Sequence, residues 1–170
     1  MKKLLFLSLL LLFSWGSFAQ KGPQIQTDPK KQTPMLVGKI KRSHLQSADF
    51  NAWYQKEYSE YKPDANIVSQ LKPLLKGVRI VLVMATWCSD SRREVPRFYQ
   101  ILDQTRFKEK HMKVLCVDRD KKAGKFESSD LDIKLVPTFI IYRQGKELGR
   151  IIETPVESLE KDLLKILSSK

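Results

Sequence analysis

Cys88 is the residue of this 170-residue chain best suited to covalent chemistry, and its surroundings decide what kind. It lies in VLVMATWCSDSRREVP, residues 81 to 96, where an apolar run ends in Trp87-Cys88. Three residues later stands Ser91, where a second cysteine would complete a dithiol pair. A thiolate attacks disulfides, whereas a hydroxyl cannot displace one, so the pattern retains a nucleophile without a built-in resolving thiol. Val78 to Met84 reads as a buried strand. Asp90 to about Thr105 reads as an amphipathic helix, with Val95, Phe98, Ile101 and Leu102 on one face and Pro96 bending it. Cys88 therefore sits in the turn between a strand and a helix. The unpaired N–H groups and partial positive charge of a helix N-terminus favour thiolate over thiol. Arg92 and Arg93 reinforce that field and Asp90 opposes it. The alternative role is a small buried hydrophobe. Ser89, Asp90 and Ser91, expected to be exposed, favour a reactive thiol.

The second cysteine, Cys116, falls within Met112 to Val117, a second buried strand. A bridge requires Cα atoms within about 7 Å, which a mid-strand residue does not offer to a helix-start cysteine. Cys116 is expected to be a buried structural thiol, a slow resolving role being the alternative. His111 starts this strand, and so lies at the opposite end of the sheet from Cys88, away from any Cys–His pairing. His44 falls outside any recognisable motif. No zinc-ligand spacing, phosphate loop or dinucleotide fingerprint occurs, and no cofactor or metal is expected. Asp118 and Asp120 follow a strand and read as turn residues.

The elements that position Cys88 follow from periodicity. The opening MKKLLFLSLLLLFSWGSFAQ has a basic start, an apolar core and a small-x-small site at Ser17-Phe18-Ala19. This is a secretory signal peptide with cleavage expected after Ala19, which implies a periplasmic or secreted protein and no stable membrane span. Residues 20 to 35 are polar with three prolines and read as a flexible leader. Residues 36 to 65 form an N-terminal extension. It comprises a short strand at Leu36 to Ile40 and a helix capped by Ser47 or Asp49 that runs to about Tyr61. A second helix spans about Ala65 to Lys76 and ends at Gly77. A short capped turn or helix covers Ser128 to Leu131. Thr138 to Tyr142 and Glu147 to Ile152 form a hairpin. Thr154 and Glu157 form a capping box, with Pro155 in the first helical position. Val156, Leu159, Leu163 and Ile166 form the core face of that last helix. The order βαβ, hairpin, helix predicts an α/β fold with a mixed central sheet and helices on both faces.

The net charge is +12, spread in small clusters such as Lys39-Ile40-Lys41-Arg42. A nucleic-acid binder would show a basic stripe with interleaved aromatics, so no nucleic-acid partner is expected.

From about residue 66 onward the chain resembles the thioredoxin family. Trp87-Cys88, Pro96 eight residues later, Val136-Pro137-Thr138 and Gly145 occur in that family's order and spacing. The resemblance implies a thioredoxin-like fold over residues 66–170. It also implies a cis Pro137 facing Cys88, a Val136 backbone that pairs with substrate, and Trp87 as the rim. Three positions depart from the family: Ser91 for the second cysteine, Leu82 for a buried aspartate, and Glu153 for a glycine beside the groove. The resulting expectation is a monothiol thiol–disulfide oxidoreductase or isomerase. Cys88 attacks the disulfides of client proteins or small thiols, Ser91 donates a hydrogen bond to its sulfur, and an external thiol reductant releases the product. The alternative is a redox-inactive binding module that uses the groove at Val136-Pro137.

Overall fold

The computed structural model describes residues 22–124, 126 and 129–169. The expected signal peptide lies outside the described residues. In chain order the elements are β1 (Gln24–Thr27), β2 (Pro34–Ile40), α1 (Arg42–Leu45), α2 (Asn51–Glu60), α3 (Ala65–Leu74), β3 (Val78–Met84), α4 (Ser89–Thr105), β4 (Met112–Cys116), β5 (Thr138–Arg143), β6 (Lys146–Ile152) and α5 (Leu159–Ser168). Short 3-10 turns at Glu109–His111 and Ser129–Leu131 precede β4 and β5.

The six strands form one mixed sheet in the order β1-β2-β4-β3-β5-β6. Only β3 and β4 are parallel, with α4 as their crossover. Apart from exposed Arg79 near its start, central β3 is apolar on both faces, as a strand covered on both sides must be. Its Val78, Ile80, Leu82 and Met84 share a core with α2, α3, α4 and α5, while Val81 and Val83 face a second cluster. That cluster is closed by the β4–β5 connection through Ala123, Phe126, Leu131, Ile133 and Val136. Within the described residues, the helical cover of this second face is the 3-10 turn Ser129–Leu131, and the longer helices share the first face. The β5–β6 hairpin closes through Gln144 (φ 52°) and Gly145 (φ 80°). Two successive left-handed residues match the right-handed twist of the strands, and the turn is tighter than the four-residue connection expected.

The largest departure from expectation is at the N-terminus. In place of a flexible leader over residues 20–35, β1 and β2 pair antiparallel from Gln24↔Val37 to Thr27↔Pro34. All four β1 side chains are exposed, so its polar composition conceals an edge strand held by backbone hydrogen bonds. Pro34 sits at the first position of β2, where a missing N–H is tolerated. β2 changes partners at Gly38: residues 34–37 pair with β1 and residues 38–40 with β4. A φ of 119° at this bend is open to glycine alone among ordinary residues. Leu36 N–H donates to Thr86 Oγ1 at 3.1 Å, which brings the hairpin to the carboxyl end of β3.

Two helix starts also differ. α2 begins after Phe50, with no side-chain cap; the Ser47 carbonyl instead accepts the Phe50 and Asn51 N–H groups. α5 begins after Ser158, whose Oγ accepts the Lys161 N–H at 3.3 Å. The expected Thr154–Glu157 capping box does not start this helix. The Asp162 carboxylate reaches back to the Val156 and Glu157 N–H groups and holds that stretch as a turn. Val156 is consequently 93 % exposed, not a core residue, while Leu159, Leu163 and Leu167 are buried.

Candidate functional site

Cys88 occupies the N-cap of α4, and its carbonyl accepts the Arg92 N–H at 3.1 Å. Cys88 is partly exposed as a residue, and its Sγ donates to the Val136 carbonyl at 3.1 Å. The Val136–Pro137 peptide bond is cis. Thr138 Oγ1 donates to the Leu135 carbonyl at 2.7 Å, and Glu153 N–H donates to the Pro137 carbonyl at 2.6 Å, so the turn facing Cys88 is tied at both ends. Of the residues singled out in the sequence, Trp87, Cys88, Val136 and Pro137 therefore converge at the carboxyl end of β3. Val136 and Pro137 side chains are buried, and the Val136 backbone carbonyl faces Cys88. The Val136 carbonyl is occupied while Cys88 is a thiol. Deprotonation removes the donor and frees that oxygen for an incoming N–H.

Ser91 is placed differently from expectation. It is fully buried, and its Oγ accepts the Ala85 N–H at 3.1 Å instead of donating to the Cys88 sulfur. The strand ends at Met84, so the Ala85 donor has left the ladder, and Ser91 on the first turn of α4 satisfies it. The charges near Cys88 are also redistributed. Arg93 is held by Asp90 at 2.9 Å and by Glu94, so its field is largely neutralised. Arg92 donates to the Thr86 carbonyl.

The rim contains groups that the sequence reading did not single out. The Trp87 indole N–H donates to the Val117 carbonyl at 3.0 Å, and the Arg119 guanidinium lies 4.4 Å from the indole centroid. Asp28, in the β1–β2 loop, grips Arg119 through Nε at 3.0 Å and Nη2 at 2.6 Å. The Asp28 carboxylate is fully buried, and Arg119 holds it at about 2, below the ordinary carboxylate range. Lys31 Nζ reaches the Trp87 carbonyl at 3.4 Å. Leu135, adjoining the cis bond, is 44 % exposed and adds an apolar edge. The one sequence signal for Arg119 was its place just past the end of a strand parallel to β3, where open α/β sheets gather functional groups. Asp28 carried no signal, because its partner lies 91 residues away.

The remaining candidates lie elsewhere or serve the fold. Cys116 is fully buried and free, and burial pushes its thiol up to about 12. Leu82 is fully buried in the core, and its hydrocarbon side chain has no proton to transfer. Asp118 closes its own turn, accepting from Asp120 and Lys122 N–H groups. His111 lines a groove of about 540 Å³ with Lys76, Arg79 and Arg106, away from Cys88. His44 Nδ1 accepts the Lys41 N–H at 2.9 Å. Glu153 adopts φ 62°, a left-handed conformation that explains why a glycine suits the position.

Comparison with known proteins agrees with this geometry. The chain is 32 % identical over 110 residues to putative thioredoxin-5 of Dictyostelium discoideum, covering 65 % of this chain and 99 % of that protein. It is 27 % identical over 89 residues to mouse thioredoxin, covering 51 % and 79 %. With thioredoxin H9 of Arabidopsis thaliana it shares 29 % identity over 85 residues, half of this chain and 56 % of the plant protein's length. The thioredoxin family profile matches residues 60–166, which include β3, Cys88, the cis-proline turn and α5, and the chain belongs to the thioredoxin family.

Proposed function

We propose that this protein is an exported monothiol thiol–disulfide oxidoreductase or isomerase acting through Cys88. The observation that carries the reading is partly exposed Cys88 at the α4 N-cap, its sulfur 3.1 Å from the Val136 carbonyl beside the cis-proline. The N-terminal hydrophobic leader in the sequence supports export. In the first step the Cys88 thiolate attacks one sulfur of a client disulfide. A new S–S bond forms to Cys88, the old one breaks, and the other client sulfur leaves as thiolate. The client backbone adds beside Val136, whose carbonyl the deprotonated cysteine has released.

Resolution comes from outside the chain. Ser91 holds no thiol and is committed to Ala85, and Cys116 is buried with its proton retained. A small thiol or a second client thiol therefore attacks the mixed disulfide and returns Cys88 as thiolate. With two equivalents of small thiol, the client disulfide becomes a dithiol and the small thiol becomes its disulfide. With a second client cysteine as the attacking group, the client is isomerised with no net electron transfer. The test is turnover of a scrambled disulfide protein with added glutathione, together with recovery of disulfide-linked adducts. Wild type should catalyse reshuffling and yield adducts at Cys88, and Cys88→Ser should do neither. A Cys88 alkylation rate at neutral pH equal to that of a free thiol would overturn the reading in favour of a binding module.

A further inference from the structure

We infer that a basic groove at the amino end of the two parallel strands is a docking site for an extended acidic segment of a partner protein. The groove has a volume of about 540 Å³ and is built from two stretches, 72–79 and 105–111. Val78 opens β3 and His111 immediately precedes β4, whereas Cys88 follows the other end of β3. The length of β3, about 20 Å at about 3.3 Å per residue, separates the two. Lys72, Lys76, Arg79, Arg106, Lys108 and Lys110 line the groove, all of them exposed, and no carboxylate lines it. Among the described residues, none of these six cations enters an ion pair. The acids that flank Arg106 in sequence are drawn away from it. Asp103 and Glu109 both turn to Arg42 of α1, at 2.8 and 3.4 Å, and Asp103 also accepts from the Tyr58 hydroxyl at 2.6 Å. The C-termini of α3 and α4 reach the groove with about half an elementary negative charge each, too little to offset six full cations.

The form of the groove selects the class of partner. No hydrogen bond holds any of the six side chains in a fixed geometry among the described residues, so they are not arranged around one small anion. They suit a run of carboxylates along an extended chain, each met by a mobile cation, and the potential they sum to attracts such a chain before contact. A bilayer surface fits less well. The large apolar side chains that stand exposed are Ile25, Leu135, Ile152 and Val156, and none of them lines the groove to enter a lipid layer. The N-terminal residues 1–21 are no occupant either, because they contain no Asp or Glu. A partner seated here leaves the Cys88 face uncovered, so the inference is independent of the thiol chemistry.

The test is fluorescence anisotropy of a dye-labelled oligoglutamate peptide titrated with the protein at low and high salt. Wild type should bind the peptide at low salt and release it at high salt. The triple variant Lys76→Gln, Arg79→Gln, Arg106→Gln should bind about tenfold more weakly, each exposed ion pair contributing a factor of about 1.5–5. A control triple variant, Lys56→Gln, Lys62→Gln, Lys165→Gln, removes the same charge from exposed positions outside the groove and should weaken binding by about twofold or less. Cys88→Ser should bind as wild type does. Equal losses in the two triple variants would overturn the inference in favour of attraction by net charge alone. Wild-type affinity that salt leaves unchanged would overturn it too, and a loss in Cys88→Ser would move the site to the other end of the sheet. Sedimentation with phosphatidylglycerol vesicles completes the test: vesicles bound in preference to the peptide would replace the acidic partner by a membrane surface. Thermal melts of each variant identify any loss of fold, and the wild-type salt titration stands without the variants.

Discussion

Replacing Ser91 by alanine separates a structural hydroxyl from a chemical one. The substitution removes the oxygen that accepts the Ala85 N–H at 3.1 Å. Ser91 and Ala85 are both 0 % exposed, so solvent does not reach the orphaned donor. An unsatisfied buried amide of this kind costs about 1–3 kcal/mol. The better helix propensity of alanine offsets about 0.5 kcal/mol of this. The net loss of about 0.5–2.5 kcal/mol corresponds, for a domain of this size, to a melting temperature lowered by about 1–10 °C. The hydroxyl makes no bond to the Cys88 sulfur, so iodoacetamide should label Cys88 at the wild-type rate at pH 7. The assay is a circular-dichroism melt paired with timed alkylation and mass spectrometry. An unchanged melt together with a large loss of Cys88 reactivity would refute the assignment and return Ser91 to the sulfur.

Four further outcomes follow from the same structure. Cys116, buried with its thiol pushed up to about 12, should stay unlabelled in the native protein at pH 8 and react only after denaturation; peptide mapping distinguishes it from Cys88. Arg119 holds the Asp28 carboxyl at about 2, below its free value of 3.8, so their pairing contributes stability above about pH 4. That contribution should be lost as pH falls from 4 to 2, visible as movement of the Asp28 carboxyl carbon by NMR. Ser158→Ala should cost about 1 kcal/mol in urea unfolding by uncapping α5, while Thr154→Ala should stay within about 0.5 kcal/mol of wild type. Glu153→Gly should raise stability by about 0.5–1 kcal/mol through relief of the left-handed backbone, whereas Glu153→Val should lower it, as read by thermal melts.

How legible each part was depended on the range of the interaction behind it. β3 was readable to the residue, because a short β-branched-rich run, apolar apart from Arg79 and ended by Gly77 on one side and the Trp87-Cys88 turn on the other, reads as a buried strand. The α4 periodicity of Val95, Phe98, Ile101 and Leu102 also gave its buried face directly. The start of α5 misled, because Thr154 and Glu157 have the local chemistry of a capping box. The competing acceptor, Asp162, is recognisable only once the chain has turned back on itself. β1 was missed because this edge strand, with one apolar residue, Ile25, and every side chain exposed, takes its hydrogen bonds from the backbone and leaves no hydrophobic pattern to read.

The order of residue types along the chain determined the nucleophile, the strand-to-helix turn that presents it, and the absence of a second thiol at position 91. These are consequences of local propensity and spacing, which act over a few residues. The tertiary structure alone decided where the hydroxyl of Ser91 points, and that a polar hairpin at the N-terminus reaches the carboxyl end of β3. It also decided that Asp28 and Arg119, 91 residues apart, meet over Trp87. Contacts of that range leave no periodic trace in a single sequence, because either partner alone is an ordinary exposed charge until folding brings the two together.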